Sequence, residues 1–210
     1  LNVQIAARYE DYGGSIGGTF DPKLSFRWQA TPAIGFRGSV GTTFRAPPGQ
    51  MMEGRVTSLQ FFGGTFRPVD VAGNPALENE SATTWSLGAM FRLGGLRATV
   101  DYWNFDFDKP LVAEPYDAIV SAMFPGGAST NCGNPAYAGL QARFVFSGAC
   151  AITNVSRLRT QFINGAKQKT SGVDVLADFD APGDVFGGEL TVGGGLTYVI
   201  DYKVAQASIE

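Results

Sequence analysis

Hydrophobic and polar side chains alternate along this chain in segment after segment. From Phe20 to Ala30, Phe20, Pro22, Leu24, Phe26, Trp28 and Ala30 share one parity, and Lys23, Ser25, Arg27 and Gln29 share the other. From Ile34 to Phe44, Ile34, Phe36, Val40 and Phe44 oppose Arg37, Ser39, Thr43 and Arg45. A strand sends successive side chains to opposite faces, so each segment predicts a strand with one oily and one polar face. The same rule predicts strands over Leu1–Tyr12, Thr83–Leu93, Leu96 through Phe107, within Arg157 to Phe179, and over Leu190–Tyr202. In the last, Leu190, Val192, Leu196, Tyr198, Ile200 and Tyr202 oppose Thr191, Thr197, Asp201 and Lys203. The total is about seven strands.

Two further patterns say what kind of sheet this is. Within the bands, Arg8, Lys23, Arg27, Arg37, Arg92, Arg97, Asp101 and Asp174 all fall on the polar row, and no charge falls on the apolar row. An Arg or Lys facing lipid at mid-depth costs about 2 to 4 kcal/mol, so a membrane wall demands this exclusion. A soluble sheet with one buried face demands it too.

The connections separate the two. A Gly-rich link, Thr31-Pro32, a long stretch of about 46–81, Gly94-Gly95, a second long stretch of about 110–156, and a turn opening at Ala181-Pro182-Gly183-Asp184 follow one another. Long and short connections alternate, so all the long ones fall at one end of an up-and-down sheet. Loops of this length are uncommon in compact domains. Transmembrane barrels put short turns at the periplasmic end and long loops outside. The expected fold is therefore all-β, an antiparallel up-and-down transmembrane β-barrel wall. Phe26, Trp28, Phe44, Trp85, Phe91, Tyr102, Tyr198 and Tyr202 lie mainly near strand ends, as rings at a membrane interface would.

Composition agrees. Charged residues make up only 17% of 210, Gly is abundant at 28, and aromatics reach 12%, which favours strands and tight turns. No apolar stretch approaches a spanning helix. The net charge of −3 and the absence of a basic run give no footprint for nucleic acid. With no His, histidine metal sites and Ser-His or Cys-His pairs cannot form. No acid–base or nucleophile set converges, so no enzyme is expected and no cofactor is implied. The chain opens inside an expected strand with no secretory leader, which reads as an internal piece of a longer protein.

Several segments carry a resemblance. Gly41-Thr42-Thr43-Phe44-Arg45-Ala46-Pro47 resembles the passage from a barrel strand to an outside loop in TonB-dependent outer-membrane receptors. Asn74-Pro75-Ala76-Leu77-Glu78-Asn79-Glu80-Ser81 is similar to that family's Asn-Pro-x-Leu-x-Pro-Glu-x strand entry, departing at Asn79, where Pro is usual. Trp85-Ser86-Leu87-Gly88, Val100-Asp101-Tyr102-Trp103, Phe162-Ile163-Asn164-Gly165 and Lys169-Thr170-Ser171-Gly172-Val173-Asp174 follow in the family's order. The resemblance covers nearly the whole chain. It implies a barrel of about 22 strands, of which this chain holds about seven, with a globular plug inside. It also implies uptake of a scarce nutrient (a siderophore, vitamin or oligosaccharide) energised through the TonB complex. The plug and the TonB-contacting segment lie outside this chain, and the expected location is the outer membrane of a Gram-negative bacterium. A passive porin-type channel and a soluble adhesive or structural β-protein are the competing readings.

Candidate residues are few. Cys132 and Cys150 share the second long loop and are expected to pair, stiffening it. Arg27, Arg37, Arg45, Arg92, Arg97, Asp101 and Asp174 are candidates to face the lumen, holding a plug or lining a ligand path. For any single one, a solvated wall with cross-strand charge pairs is the simpler account. Phe61, Phe62, Phe66, Trp103, Phe105 and Phe107 are aromatic candidates near the outer end, with interface or loop packing as the simpler account. Asp101, Asp106 and Asp108 lack the spacing of a calcium loop, and no metal site is expected.

Overall fold

Alternating side chains bury or shield a face only when neighbouring strands are paired in matching parity, and the computed structural model shows that pairing. It describes residues 1–14, 16–184 and 187–205. The strands are β1 (Asn2–Asp11), β2 (Gly18–Gln29), β3 (Ile34–Arg45), β4 (Arg55–Phe62), β5 (Thr65–Ala72), β6 (Glu80–Leu93), β7 (Leu96–Asp108), β8 (Leu111–Ala113), β9 (Phe144–Phe146), β10 (Val155–Asn164), β11 (Gln168–Asp180) and β12 (Thr191–Val204). Three short helices are α1 (Gly49–Glu53), α2 (Tyr116–Met123) and α3 (Ala138–Gln141). The chain divides into two compact units.

The first unit is a seven-stranded antiparallel sheet in the order β1-β2-β3-β6-β7-β11-β12. Its register sets oily residues opposite oily residues: Ile5 faces Leu24, Leu24 faces Val40, and Val40 faces Trp85. Further along, Leu87 faces Tyr102, Val100 faces Val175, and Val175 faces Leu196. This apolar face is bare. Ile5 is 81% exposed, Leu87 55% and Leu196 64%, so no layer of the described chain covers it. Water would not tolerate such a surface on a monomer, whereas acyl chains would. Gly94 closes the β6–β7 hairpin at φ 56°, a conformation that Gly adopts without a Cβ penalty.

The sixth wall strand lies in the expected stretch, but it is not alone there. The stretch sought within 157–179 holds two strands, and only β11 belongs to the wall. β10 alternates as a wall strand would, but it is the centre of the second unit's sheet.

A second difference is a one-residue bulge. Gly172 pairs with Val199, but Ser171 pairs with Asp201, leaving Ile200 as the extra residue on β12. A bulge shifts every later side chain to the other face. Tyr202 therefore pairs with Thr170 of the polar row, while Asp201 and Lys203 join the parity of Val173. The expected grouping of Ile200 and Tyr202 with the oily row, and of Asp201 and Lys203 against it, is thus corrected beyond Val199.

The second unit comprises Ala46–Asn79 and Leu111–Gly165 among the described residues. Its sheet runs β4-β5-β10-β8, with β9 also pairing β10, and β5 and β10 run parallel. Unlike the wall, it has a buried core: Phe62, Val69, Ile119, Met123, Phe124 and Leu158 pack together. Asp117 sits in the first turn of α2, near the positive end of the helix dipole. Residues Ile119, Val120 and Met123 of α2 are its buried stripe. The two long connections are thus a folded body in their own right.

Candidate functional site

The polar face of the wall is built row by row across the strands. One row runs Arg27–Arg37–Gly88–Asp101–Asp174–Thr197 from β2 to β12. Arg37 spans the strand between itself and Asp101: its Nε donates to Oδ1 at 2.7 Å and its Nη2 to Oδ2 at 2.5 Å. Gly88 stands between them, and a Cβ there would overlap Asp101 Oδ1. Arg27 lies directly opposite Arg37, and Asp174 directly opposite Asp101. Asp174 Oδ1 is buried with no hydrogen-bond partner among the described residues.

Nearer the short turns, Arg92 lies opposite Arg97, and Arg97 donates to Asp180 at 2.9 Å. Like charges set directly opposite repel, and here they line a cavity of about 560 Å³ with Arg27, Arg37, Thr99 and Asp178. At the other end of the wall, Arg45 donates to Glu80 at 2.8 Å. The structure therefore brings Arg27, Arg37, Arg92 and Arg97 to one concavity, with Asp101 and Asp174 in the row beside it. It sets Arg45 apart at the opposite strand ends.

Aromatic residues change faces along β7. Tyr102 lies on the apolar face, while Trp103, Phe105 and Phe107 lie on the polar one. The rings of Trp103 and Phe105 are 5.6 Å apart, and those of Phe105 and Phe107 are 6.2 Å apart at 14°. Trp103 lies over Gly172, whose missing side chain leaves room for the indole. Ser86 and Thr84 flank the ladder on β6 and Thr170 on β11. Parity alone put Trp103 on the polar row. The continuous ladder emerges only with the hydrogen-bonded register.

In the second unit, Cys132 and Cys150 are joined, with Cα atoms 5.9 Å apart. Both pack against the core that holds Phe124 and Phe144. Buried Arg67 donates to Thr153 O at 2.7 Å and sits over the Phe62 ring. Asp70 accepts from Thr57 Oγ1 at 2.7 Å and from Arg157 Nη1 at 2.6 Å. Burial pushes the Asp70 carboxyl up, and the bonds from Arg157 and Thr57 with the charges of Arg157 and Arg55 more than offset it, so the group sits below the usual carboxylate range. Phe61 and Phe66 meet edge to face at 5.4 Å on an exposed hairpin, while Phe62 turns into the core. No metal-binding cluster occurs among the described residues. Asp106 and Asp108 lie on the face opposite Asp101, on the parity of Tyr102, and Lys169 pairs with Asp106 there, so the expected absence of charge from the apolar row is corrected at this end of β7 and β11.

A bare apolar face opposite a charged one, on an antiparallel up-and-down sheet, defines the wall of a membrane-spanning β-barrel. The family model for the TonB-dependent receptor-like β-barrel matches residues 1–209. The chain belongs to that family, whose members are outer-membrane proteins of Gram-negative bacteria. No curated protein matches the chain.

Among solved structures, the chain is similar to the siderophore receptor PirA from Acinetobacter baumannii: TM-score 0.62, 18% identity, 97% of this chain and 26% of that one. It is likewise similar to the siderophore receptor PirA from Pseudomonas aeruginosa: TM-score 0.60, 17% identity, 90% and 29%. The RagAB peptide transporter aligns at TM-score 0.57 and 14% identity over 96% of this chain and 20% of that one. The chain therefore spans less than a third of each of these proteins.

Proposed function

We propose that this chain is part of the barrel wall of an outer-membrane receptor that imports a scarce small-molecule nutrient, energised through the TonB complex. The observation that carries it is the two-faced wall. Its oily face is bare and suits acyl chains, and its other face is lined by charges and an aromatic ladder. On this reading Arg27, Arg37, Arg45, Arg92, Arg97, Asp101 and Asp174 face the lumen. The arginine-lined cavity near the short turns receives a plug domain of the same parent protein, through which TonB is engaged. The disulfide-stapled second unit stands outside, and the Trp103–Phe105–Phe107 ladder meets ligand on its way in.

Support comes from the relatives. Two are named as siderophore receptors and one as a peptide transporter, which fits import of a small-molecule nutrient and favours a siderophore among the candidates. Among the described residues, β1 and β12 each pair on one side only. Edges cannot stand open in lipid, so this wall works within a larger closed barrel.

The test is growth of a deletion strain of the parent gene on single iron chelates, vitamins or oligosaccharides as the limiting nutrient. Growth on one of them is expected to fail and to return with the parent gene, but only in cells with working TonB. Uptake that persists without TonB points to a passive channel and sinks the energised reading.

A further inference from the structure

Two motifs with no part in the ligand path, Asn74-Pro75-Ala76-Leu77 and Phe162-Ile163-Asn164-Gly165, meet in the second unit. β10 pairs with β5 as far as Gln161 and Ala72. Beyond that point Pro75 has no N–H with which to continue the ladder. Side-chain amides take over. Asn74 Nδ2 donates to Phe162 O at 3.0 Å, and Asn74 Oδ1 accepts from Ala76 N at 2.9 Å. Asn164 Oδ1 accepts from Glu78 N at 2.8 Å, and Asn164 Nδ2 donates to Glu78 O at 2.9 Å. A backbone N–H can only donate, so the partners fix both amide orientations. A primary amide carries the donor and the acceptor of a peptide group, which lets asparagine stand in for a missing strand. On its other side the Asn164 backbone pairs with Leu111. Leu77, between the two grips, is buried.

Of the eight asparagines, Asn164 is the one followed by Gly. With no Cβ on Gly165, little hinders its backbone nitrogen from reaching the Asn164 side chain. That nitrogen, losing its proton to water, can attack Asn164 Cγ. The N–Cγ bond forms, the Cγ–Nδ2 bond breaks, and ammonia leaves. Water then opens the succinimide at either carbonyl, giving aspartate or isoaspartate. The clasp opposes this reaction, because both ends of the amide are held and the Asn164 backbone lies in β10. Its two bonds to Glu78 are exposed, and exposed bonds are the first to open locally.

We propose that Asn164–Gly165 is a deamidation site gated by the clasp of Asn74 and Asn164. Closed, the clasp protects the amide. Opened, it lets the amide convert. Once Asn164 has become an aspartate, the donor to Glu78 O is gone and a carboxylate oxygen faces that carbonyl. The clasp then stays open, and residues 74–79 are released from β10. The site stands whatever nutrient the receptor carries.

The experiment ages the full-length parent receptor in detergent at mildly alkaline pH. Trypsin digestion in heavy-oxygen water separates conversion during ageing from conversion during digestion. Cleavage after Arg159 and Lys167 releases Thr160–Lys167, and mass spectrometry gives its deamidated fraction. Wild type is expected to convert at least about tenfold more slowly than the synthetic peptide of that sequence. Asn74→Ala is expected to convert about tenfold faster than wild type, as one lost hydrogen bond shifts a local opening. Adding Gly165→Ala is expected to abolish that gain. Asn164→Asp is expected to speed deuterium exchange at the Glu78 amide and to leave Ile119–Met123 protected.

Wild type that converts as fast as the free peptide overturns the gate, and this comparison decides even if Asn74→Ala fails to fold. A folded Asn74→Ala receptor that ages at the wild-type rate overturns it too; heat-modifiable migration and an intact Cys132–Cys150 bridge confirm folding. Equal conversion with and without Gly165 overturns the site itself. Unchanged exchange at Glu78 in Asn164→Asp overturns the lasting release.

Discussion

Arg37 of β3 reaches over β6 to grip Asp101 of β7 with two hydrogen bonds, and Gly88 is the gap that lets it pass. Strands lie about 4.8 Å apart, so the pair ties three strands together where an ordinary cross-strand pair ties two. Arg suits the task because its planar fork fits a carboxylate at two points.

Gly88→Ala is therefore expected to cost more than a glycine substitution in a strand usually does. The new Cβ would overlap Asp101 Oδ1 and force either the carboxylate or the backbone to move, at about 1 to 3 kcal/mol. The midpoint of heat-modifiable unfolding of the parent receptor checks this. In an Asp101→Ala background the same substitution is expected to be close to neutral. An undiminished loss there would show that the clash lies elsewhere.

Opening the Cys132–Cys150 bridge is expected to loosen the second unit and leave the wall intact. The bridge closes a separation of 18 residues, worth about 3 kcal/mol in the chain-entropy account. Cys132→Ser with Cys150→Ser, or reduction, is expected to open Leu111–Gly165 to protease while heat-modifiable migration is retained. Identical cleavage rates with and without the bridge contradict this.

Asp70 predicts an acid dependence of the second unit. Its folded carboxyl titrates below its ordinary value of 3.8. Its contribution is therefore complete above that value and lost as pH falls through the lower folded value. Protease resistance of the second unit is expected to drop on acidification in that window. Asp70→Asn is expected to lower resistance at neutral pH, because Arg157 loses its partner, and to flatten the acid dependence. A variant with the wild-type acid profile rules Asp70 out as the cause.

Trp103→Ala tests the ladder. The indole sits on the polar face over Gly172 and contacts Phe105. Aromatic pairs contribute about 0.5 to 1.5 kcal/mol beyond burial, so the change is expected to leave the barrel folded. Apparent affinity for the imported nutrient is expected to fall about tenfold, read from the concentration dependence of uptake. Uptake unaffected in a correctly folded variant would leave the ladder as wall packing.

Much of the wall was legible in the sequence because a period of two writes each strand's faces directly. Leu24 and Phe26 against Lys23 and Arg27 needed no knowledge of any neighbour. The second unit was not legible, because β10 carries the same alternation yet pairs with β5 and β9 instead of the wall. Its parallel pairing joins residues such as Val69 and Leu158, far apart in the chain, and no local pattern encodes that. Of the candidate residues, the cysteine pair followed from its place in one loop. The arginine cavity and the ladder required the register.

The alternation of side chains by itself determined that this protein has a two-faced β wall, because the strand's pleat leaves a side chain no third direction. Only the tertiary structure decided which strands pair and where one extra residue, Ile200, turns Asp201 and Lys203 outward. A bulge shows only against the partner strand, since it is a mismatch of count between two chains of hydrogen bonds. The same holds for Arg37 and Asp101: their meeting depends on Gly88 occupying the row between them, which register alone fixes.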